Sequence, residues 1–315
     1  MVQYQPSQEQ RDLIADIDGA LTAILPLSRL NESPQESAAT WAALEDLGIF
    51  GLAAPEAVGG AALGAVEEVL LAAALGRRLA SPSVFATLGA VHANIHAPTP
   101  VLKRTSPAYQ NRRGVVVMVD CGATNALLLR TADSATIHLI DTKQMELEGN
   151  PWLDRLCVRS DAGPPIATLG AAGLLRLRLI DAAALAGIAG ATLDAAAGYA
   201  RMREQFGRPI GSFQAVKHHC ANMAVAARKA IDLVTYAAVA ADQARPDAAF
   251  LADSAFIIAA QGAIDNAGRN IQIHGGIGFS DEADAHLFLK RGQLLATIGG
   301  GVEAALERIA IVAAA

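Results

Sequence analysis

The sequence predicts a mainly α protein with a small β domain set between two helical blocks. Three observations carry this: apolar residues at helical spacing before His96, a proline-punctuated stretch of short β-branched runs after it, and an alanine-rich helical texture from Asp181 onward. The chain has 315 residues, 52% of them hydrophobic and 18% charged, which excludes a disordered polymer and allows a core without disulfide or metal staples.

In the first block, Leu13, Ile14, Ile17, Leu21 and Ile24 recur every three or four residues, and Ser7 stands where a helix N-cap belongs. A second helix is predicted over Ser37–Leu47, ending at Gly48, and a third over Val66–Leu79 after a loop marked by Pro55 and Gly59-Gly60. Together they predict an N-terminal helical domain over residues 1–97. Pro98, Pro100 and Pro107 then exclude helix, and Val115–Val119, Leu127–Leu129 and Ile137–Ile140 read as strands. Leucine and arginine alternate from Leu175 to Leu179, which predicts a further strand over Leu174–Ile180 with one wet face. The expected division is a reduced β domain over 98–180 and a C-terminal helical bundle over 181–315. Asp181 reads as a helix N-cap at its edge. Breaks at Gly207-Arg208-Pro209, Arg245-Pro246, Gly275–Gly278 and Gly299–Gly301 leave four or five helices. Phe250, Ile257, Ile264 and Ile271 repeat every seven residues, a seam read first as core packing and second as a subunit interface.

Composition narrows the partners. The formal charge of −6, without a basic run, offers no counterion-releasing surface for nucleic acid. No uninterrupted apolar stretch reaches the roughly 18 residues of a membrane span. Cys121, Cys157 and Cys220 are widely spaced and odd in number, and the N-terminus lacks the basic-then-apolar pattern of a signal peptide, so a cytoplasmic protein is expected. His218-His219-Cys220 does not read as a metal site, because neighbouring helical residues point about 100 degrees apart. Gly299–Gly301 follows a helix and lacks the Lys-Ser/Thr tail of a phosphate loop.

Two segments go beyond fold class. Arg203-Glu204-Gln205-Phe206-Gly207-Arg208-Pro209-Ile210-Gly211-Ser212-Phe213-Gln214, with His218 and Met223 after it, closely resembles the signature of acyl-CoA dehydrogenases. Gln272-Ile273-His274-Gly275-Gly276-Ile277-Gly278-Phe279, followed by Glu282 and Lys290-Arg291, resembles that family's C-terminal motif. Trp41, Leu47-Gly48-Ile49, Pro55-Glu56, Gly59-Gly60 and Leu75-Gly76-Arg77 are similar to its N-terminal helical domain. The resemblance implies helices, a β domain and a four-helix bundle, assembled as dimers of dimers around FAD. By the same resemblance Arg203, Phe206 and Gln214, completed by Gln272, Gly275 and Gly276, contact the adenosine-diphosphate half of FAD bound by a neighbouring subunit. Arginine suits such a pyrophosphate by its planar donor fork, and glycine by letting backbone approach closely. Read alone, Gly275–Gly278 is a helix cap and turn, Arg203 a last-turn cation, and Gln214 a surface amide.

The family removes an α proton from an acyl-CoA with a glutamate while the β hydrogen leaves as hydride to the flavin. Here Gly300 stands where many members carry that glutamate, and Ala182–Ile188, where others carry it, has no carboxylate. The early part of the β domain that flanks the flavin ring has no counterpart. The resemblance therefore implies a degenerate, shortened subunit of the kind found in bacterial heteromeric steroid side-chain acyl-CoA dehydrogenases. Such a subunit would be the non-base-bearing partner in an α2β2 complex whose other subunit holds most of the acyl-CoA. Two alternatives stand beside it: a self-sufficient flavoenzyme with Glu303 as an unusual base, and a non-enzymatic scaffold.

Overall fold

The computed structural model describes residues 5–33, 35–56, 59–93, 104–110, 114–121, 124–131, 133–140, 156–159 and 162–314. The chain is mostly helical with a small sheet, as the sequence predicts. Helix α1 (Gln8–Ile24) starts in a capping box: Ser7 Oγ accepts from the Gln10 N–H while Gln10 Oε1 accepts from the Ser7 N–H. Helix α2 (Ala38–Asp46) is capped by Ser37, and Gly48 takes the left-handed turn beyond its end at φ +77°. Helix α3 (Ala65–Arg77) is capped from far along the chain, because both carboxylate oxygens of Asp242 accept its first N–H groups, from Ala65 and Val66. Helix α4 (Pro82–Ala90) follows, with proline in its first turn, where no N–H is missed.

The β domain holds β1 (Thr105–Gln110), β2 (Val116–Val119), β3 (Ala126–Arg130), β4 (Ala135–Leu139), β5 (Leu156–Arg159) and β6 (Pro165–Thr168). They form one sheet in the order β5-β2-β1-β3-β4-β6, with β1 and β3 parallel and the other neighbours antiparallel. β1 is a strand that the proline signal hides. Pro107 sits within it, before the β2 ladder begins at Ala108, so its missing N–H affects one side of the strand only.

The strand expected over Leu174–Ile180 is instead the opening of α5 (Ala171–Met202), and the bundle begins ahead of residue 181. The alternation misleads because this helix is wrapped on opposite sides. Leu177 packs on the sheet residues Leu128 and Ile137, while Leu179 and Ile180 enter the main core with α3 and α7 (Ala248–His274). The arginines are not a wet face. Arg176 binds Glu68 at 2.6 Å, and Arg178 lies 3.4 Å from Asp253. Asp181 is likewise no N-cap: it is buried inside α5, where both its oxygens accept from the Arg130 guanidinium of β3.

Five helices make up the bundle among the described residues: α5, α6 (Gln214–Asp242), α7, α8 (Ala285–Ile298) and α9 (Gly301–Ala314). One continuous core runs from α1–α3 into them. α3 and α5 cross at backbone contact, because Gly76 faces the Ala184 carbonyl and Gly187 faces that of Ala73. The Phe250–Ile271 seam is only half covered. Ile271 is buried but Phe250 is exposed, while alanines 252, 255, 259, 263 and 267, with Phe256, face the core. α5 and residues 248–279 are long and apolar enough to cross a bilayer by composition, a signal the search for uninterrupted runs misses; at least half of each such window is packed inside the fold.

Candidate functional site

All six predicted cofactor-contacting residues lie at one end of the bundle, where α5 and α7 finish and α6 starts. Arg203 is the C-cap of α5, extended at φ −76° and ψ 123°. A two-residue hairpin follows: Glu204-Gln205 pairs with Arg208-Pro209 across Phe206 and Gly207, which both adopt positive φ, +52° and +75°. The turn holds Phe206 out into solvent at 88% exposure. Phe213 anchors the hairpin's base, edge-on to Phe206 at 6.1 Å and beneath the Arg208 guanidinium at 4.3 Å. Gln214 opens α6, exposed and just after its extended N-cap. A backbone bond from the Ile210 N–H to the Arg203 carbonyl closes the loop at 2.8 Å.

The end of α7 is held against this hairpin's root. His274 stacks on Tyr199 with ring centroids 4.1 Å apart, and the Arg203 N–H donates to the Tyr199 carbonyl. Ile273 adds apolar packing against Ala196, Ala200 and Met223. Gln272 is exposed on the last turn, and Gly275 caps it at φ +68°, a conformation that favours glycine. The space where Gly275 and Gly276 would carry a Cβ is empty, so their backbone is open to close approach. Among the described residues, the side chains of Arg203, Gln214 and Gln272 have no hydrogen-bond or ion-pair partner. The result is an exposed surface with free cation and amide donors and bare backbone, flanked by Met202 and Phe279, which are 77% and 75% exposed.

A second feature lies between the sheet and the helices, a cleft of about 650 Å³ bordered by Tyr109, Arg130, Leu177, Arg178, Gly300 and Glu303. Gly300 and Gly301 both take positive φ, +99° and +81°, so this lip is glycine for conformational reasons as well as lacking a side chain. Glu303 faces the cleft from the first turn of α9, where a carboxylate meets the helix dipole favourably. Beneath lie charges that sequence reasoning missed. Asp253 of α7 receives Arg308 at 2.7 Å and Arg178 at 3.4 Å, and Arg130 holds Asp181. Burial pushes the Asp181 carboxyl above its ordinary range, against the opposing pull of Arg130. These partners are 51 to 75 residues apart in the chain, and no local spacing announces them. His218 and His219 are exposed on α6, and no cluster with metal-ligand geometry occurs among the described residues.

Two family models match the chain: the acyl-CoA dehydrogenase N-terminal domain over residues 8–113 and the acyl-CoA dehydrogenase C-terminal domain over residues 169–313. Acyl-CoA dehydrogenase FadE34 of Mycobacterium tuberculosis is 33% identical over 299 residues, which are 85% of this chain but 41% of that protein. Probable acyl-CoA dehydrogenase YngJ of Bacillus subtilis is 38% identical over 136 residues, 42% of this chain and 34% of that protein. The chain thus spans less than half the length of both relatives. IpdE2 of M. tuberculosis, also an acyl-CoA dehydrogenase, is 29% identical over 78% of this chain and 77% of its own. Among solved structures, the Tcur3481–Tcur3483 steroid acyl-CoA dehydrogenase shares the fold at a TM-score of 0.80 and 24% identity, covering 97% of this chain and 98% of the other. The ChsE4–ChsE5 complex of M. tuberculosis does so at 0.76 and 22%, covering 99% of each.

Proposed function

This chain belongs to the acyl-CoA dehydrogenase family, and from that membership we propose that it is the non-base-bearing subunit of a heteromeric FAD-dependent enzyme that α,β-desaturates an acyl-CoA. The observation that carries the proposal is a contrast between two sites. The exposed end of the bundle keeps Arg203, Phe206, Gln214, Gln272, Gly275 and Gly276 on one surface, whereas the cleft presents Gly300 where a proton-abstracting carboxylate would be needed. A subunit with the first and without the second serves a cofactor whose reacting end is completed elsewhere.

Acyl-CoA dehydrogenases are FAD-dependent, and the bundle end fits the diphosphate half of that cofactor. Arg203 is uncompensated and exposed, the open backbone of Gly275 and Gly276 offers no steric barrier to a phosphate, and Phe206 projects a ring that is 88% exposed. When bound, the flavin accepts the electrons removed from the acyl chain. Arg203 would neutralise the pyrophosphate, Gln214 and Gln272 would donate to its oxygens, and Phe206 would cover the adenosine. The partner subunit would supply the base and most of the acyl-CoA contacts in an α2β2 complex. FadE34 supports this view, since more than half of that protein lies outside the match and has room for a second unit of this size. The acyl group is proposed to be bulky, as in the steroid enzyme Tcur3481–Tcur3483, and the setting cytoplasmic, in keeping with the free thiols of Cys121 and Cys220.

The test is flavin occupancy, read from visible absorbance per protein, in a complex co-purified with a glutamate-bearing relative. Arg203→Ala removes a charge-assisted contact worth about 1.5–3 kcal/mol and should weaken FAD retention by roughly 10- to 100-fold. Full occupancy in that variant overturns the assignment. A second reading rests on Glu303, which lines the same cleft as Gly300. It predicts acyl-CoA turnover by the isolated protein that Glu303→Gln abolishes.

A further inference from the structure

The hairpin that carries Phe206 is built against the ordinary preferences of such turns. A two-residue turn with both φ values positive favours asparagine followed by glycine, because a larger side chain at positive φ crowds its own backbone. Gly207 meets that demand, but the other place is taken by Phe206, a bulky residue at φ +52° whose ring is 88% exposed. Position 206 therefore combines backbone strain with exposed apolar area, and strain of this kind persists only where neighbouring groups fix it. The neighbour is Phe213. Its half-buried ring stands at the N-cap of α6, edge-on to Phe206 at 6.1 Å. The same ring lies under the Arg208 guanidinium at 4.3 Å, and among the described residues that guanidinium has no hydrogen-bond or ion-pair partner. One aromatic ring thus meets the side chains on both sides of Gly207. Phe213 is itself held by its backbone: its N–H donates to the Ile210 carbonyl, and its carbonyl accepts from the Lys217 N–H, each at 3.1 Å.

We propose that Phe213 is a positioning residue of the bundle-end site, whose ring fixes Phe206 and Arg208 in place before the cofactor arrives. The inference rests on the reading of that surface as the site for the adenosine-diphosphate half of FAD, and it adds two residues to the six already assigned there. Phe213 acts through the others: it sets the attitude of the Phe206 ring and holds a second cation, Arg208, on the same hairpin as Arg203. A pyrophosphate carries two negative charges, and the six-residue set answers them with one arginine. Without the Phe213 ring, Phe206 and Arg208 are free to sample several rotamers in water, and ordering them on binding then lowers affinity. The edge-to-face pair and the guanidinium–ring contact are each modest, and their joint loss corresponds to about tenfold in cofactor affinity.

The test is calorimetric titration of FAD into the flavin-stripped complex with a glutamate-bearing relative, with Tm and assembly mass measured on each variant. Phe213→Leu should weaken FAD by about tenfold while Tm and mass stay as in the wild type, and Phe213→Tyr, which keeps the ring, should restore the affinity. A purely structural role predicts the reverse: a lowered Tm or a broken assembly, with the affinity of the folded fraction unchanged. Arg208→Gln changes an exposed side chain, so it carries the test if Phe213→Leu fails to fold; it should weaken FAD by about threefold or more. In the Phe213→Leu background the same change should add less than it does alone, since the two residues act as a pair. Undiminished affinity in Phe213→Leu or in Arg208→Gln overturns the proposal, as does failure of Phe213→Tyr to restore it. Arg203→Ala in the same titration separates the two levels. Affinity lost there but kept in Phe213→Leu removes the positioning role and leaves the site, whereas affinity kept in both removes the site as well.

Discussion

Asp120 is buried at φ +55° where α4 meets β1 and β2, and several hydrogen bonds hold that corner. The Ser83 N–H donates to its Oδ2, the Ser83 and Ser106 hydroxyls donate to its backbone carbonyl, each at 2.9 Å, and Arg104 lies 3.8 Å from Oδ1. Burial pushes its carboxyl above the ordinary range despite these donors and the arginines. A folded-state pKa raised above the unfolded one gives stability that is complete below the unfolded value and is lost as pH rises through the folded value. Asp120→Asn cannot titrate, and asparagine tolerates the left-handed backbone. The Tm difference between this variant and the wild type should therefore move in the variant's favour as pH is raised from about 4 to about 8 in thermal scans; a difference independent of pH would refute this. None of this environment can be read from Val119-Asp120-Cys121 as a string. Ser7, by contrast, was legible, since its cap is local, and Ser7→Ala should cost about 1 kcal/mol in denaturant unfolding.

The helices that sequence reasoning placed well are those whose signals lie within a turn of their ends. Ser7, Ser37 and Gly48 bound α1 and α2 by local hydrogen bonds and a positive φ, so the residues announce the ends directly. The opening of α5 failed for the opposite reason. A helix buried on opposite sides has no polar stripe to reveal a 3.6-residue period, and its arginines are matched to Glu68 and Asp253 on other elements. The crossing of α3 and α5 sets a sharper condition. A methyl at position 187 would overlap the Ala73 carbonyl and neighbouring backbone, which cannot swing aside as a side chain does. Gly187→Ala should destabilise the protein by about 1–3 kcal/mol or more through overpacking, measured by urea unfolding, whereas Gly198→Ala on the same helix, with open space at its Cβ, should be neutral or stabilising.

At the scale of the molecule, the exposed bundle end is the feature most in need of a partner. Met202, Phe206 and Phe279 expose large apolar surface around free cations and amides, a pairing suited to a docked subunit and cofactor. The protein alone should therefore self-associate or bind hydrophobic dye, and a glutamate-bearing relative should shift it to a defined heteromer by size-exclusion chromatography with light scattering. A strictly monomeric protein that ignores such a relative would count against the heteromeric reading. The mainly α architecture, the segments that carry the family resemblance, and the absence of a carboxylate at Gly300 are legible in the residues themselves. Those are properties of local patterns and residue identities, which survive without coordinates. It takes the packed helices to show that Arg203 and Gln272, far apart in the chain, share one surface and that Asp181 belongs to Arg130. Such pairings depend on where whole helices pack, and packing is set by the summed burial of many residues rather than by any short run of them.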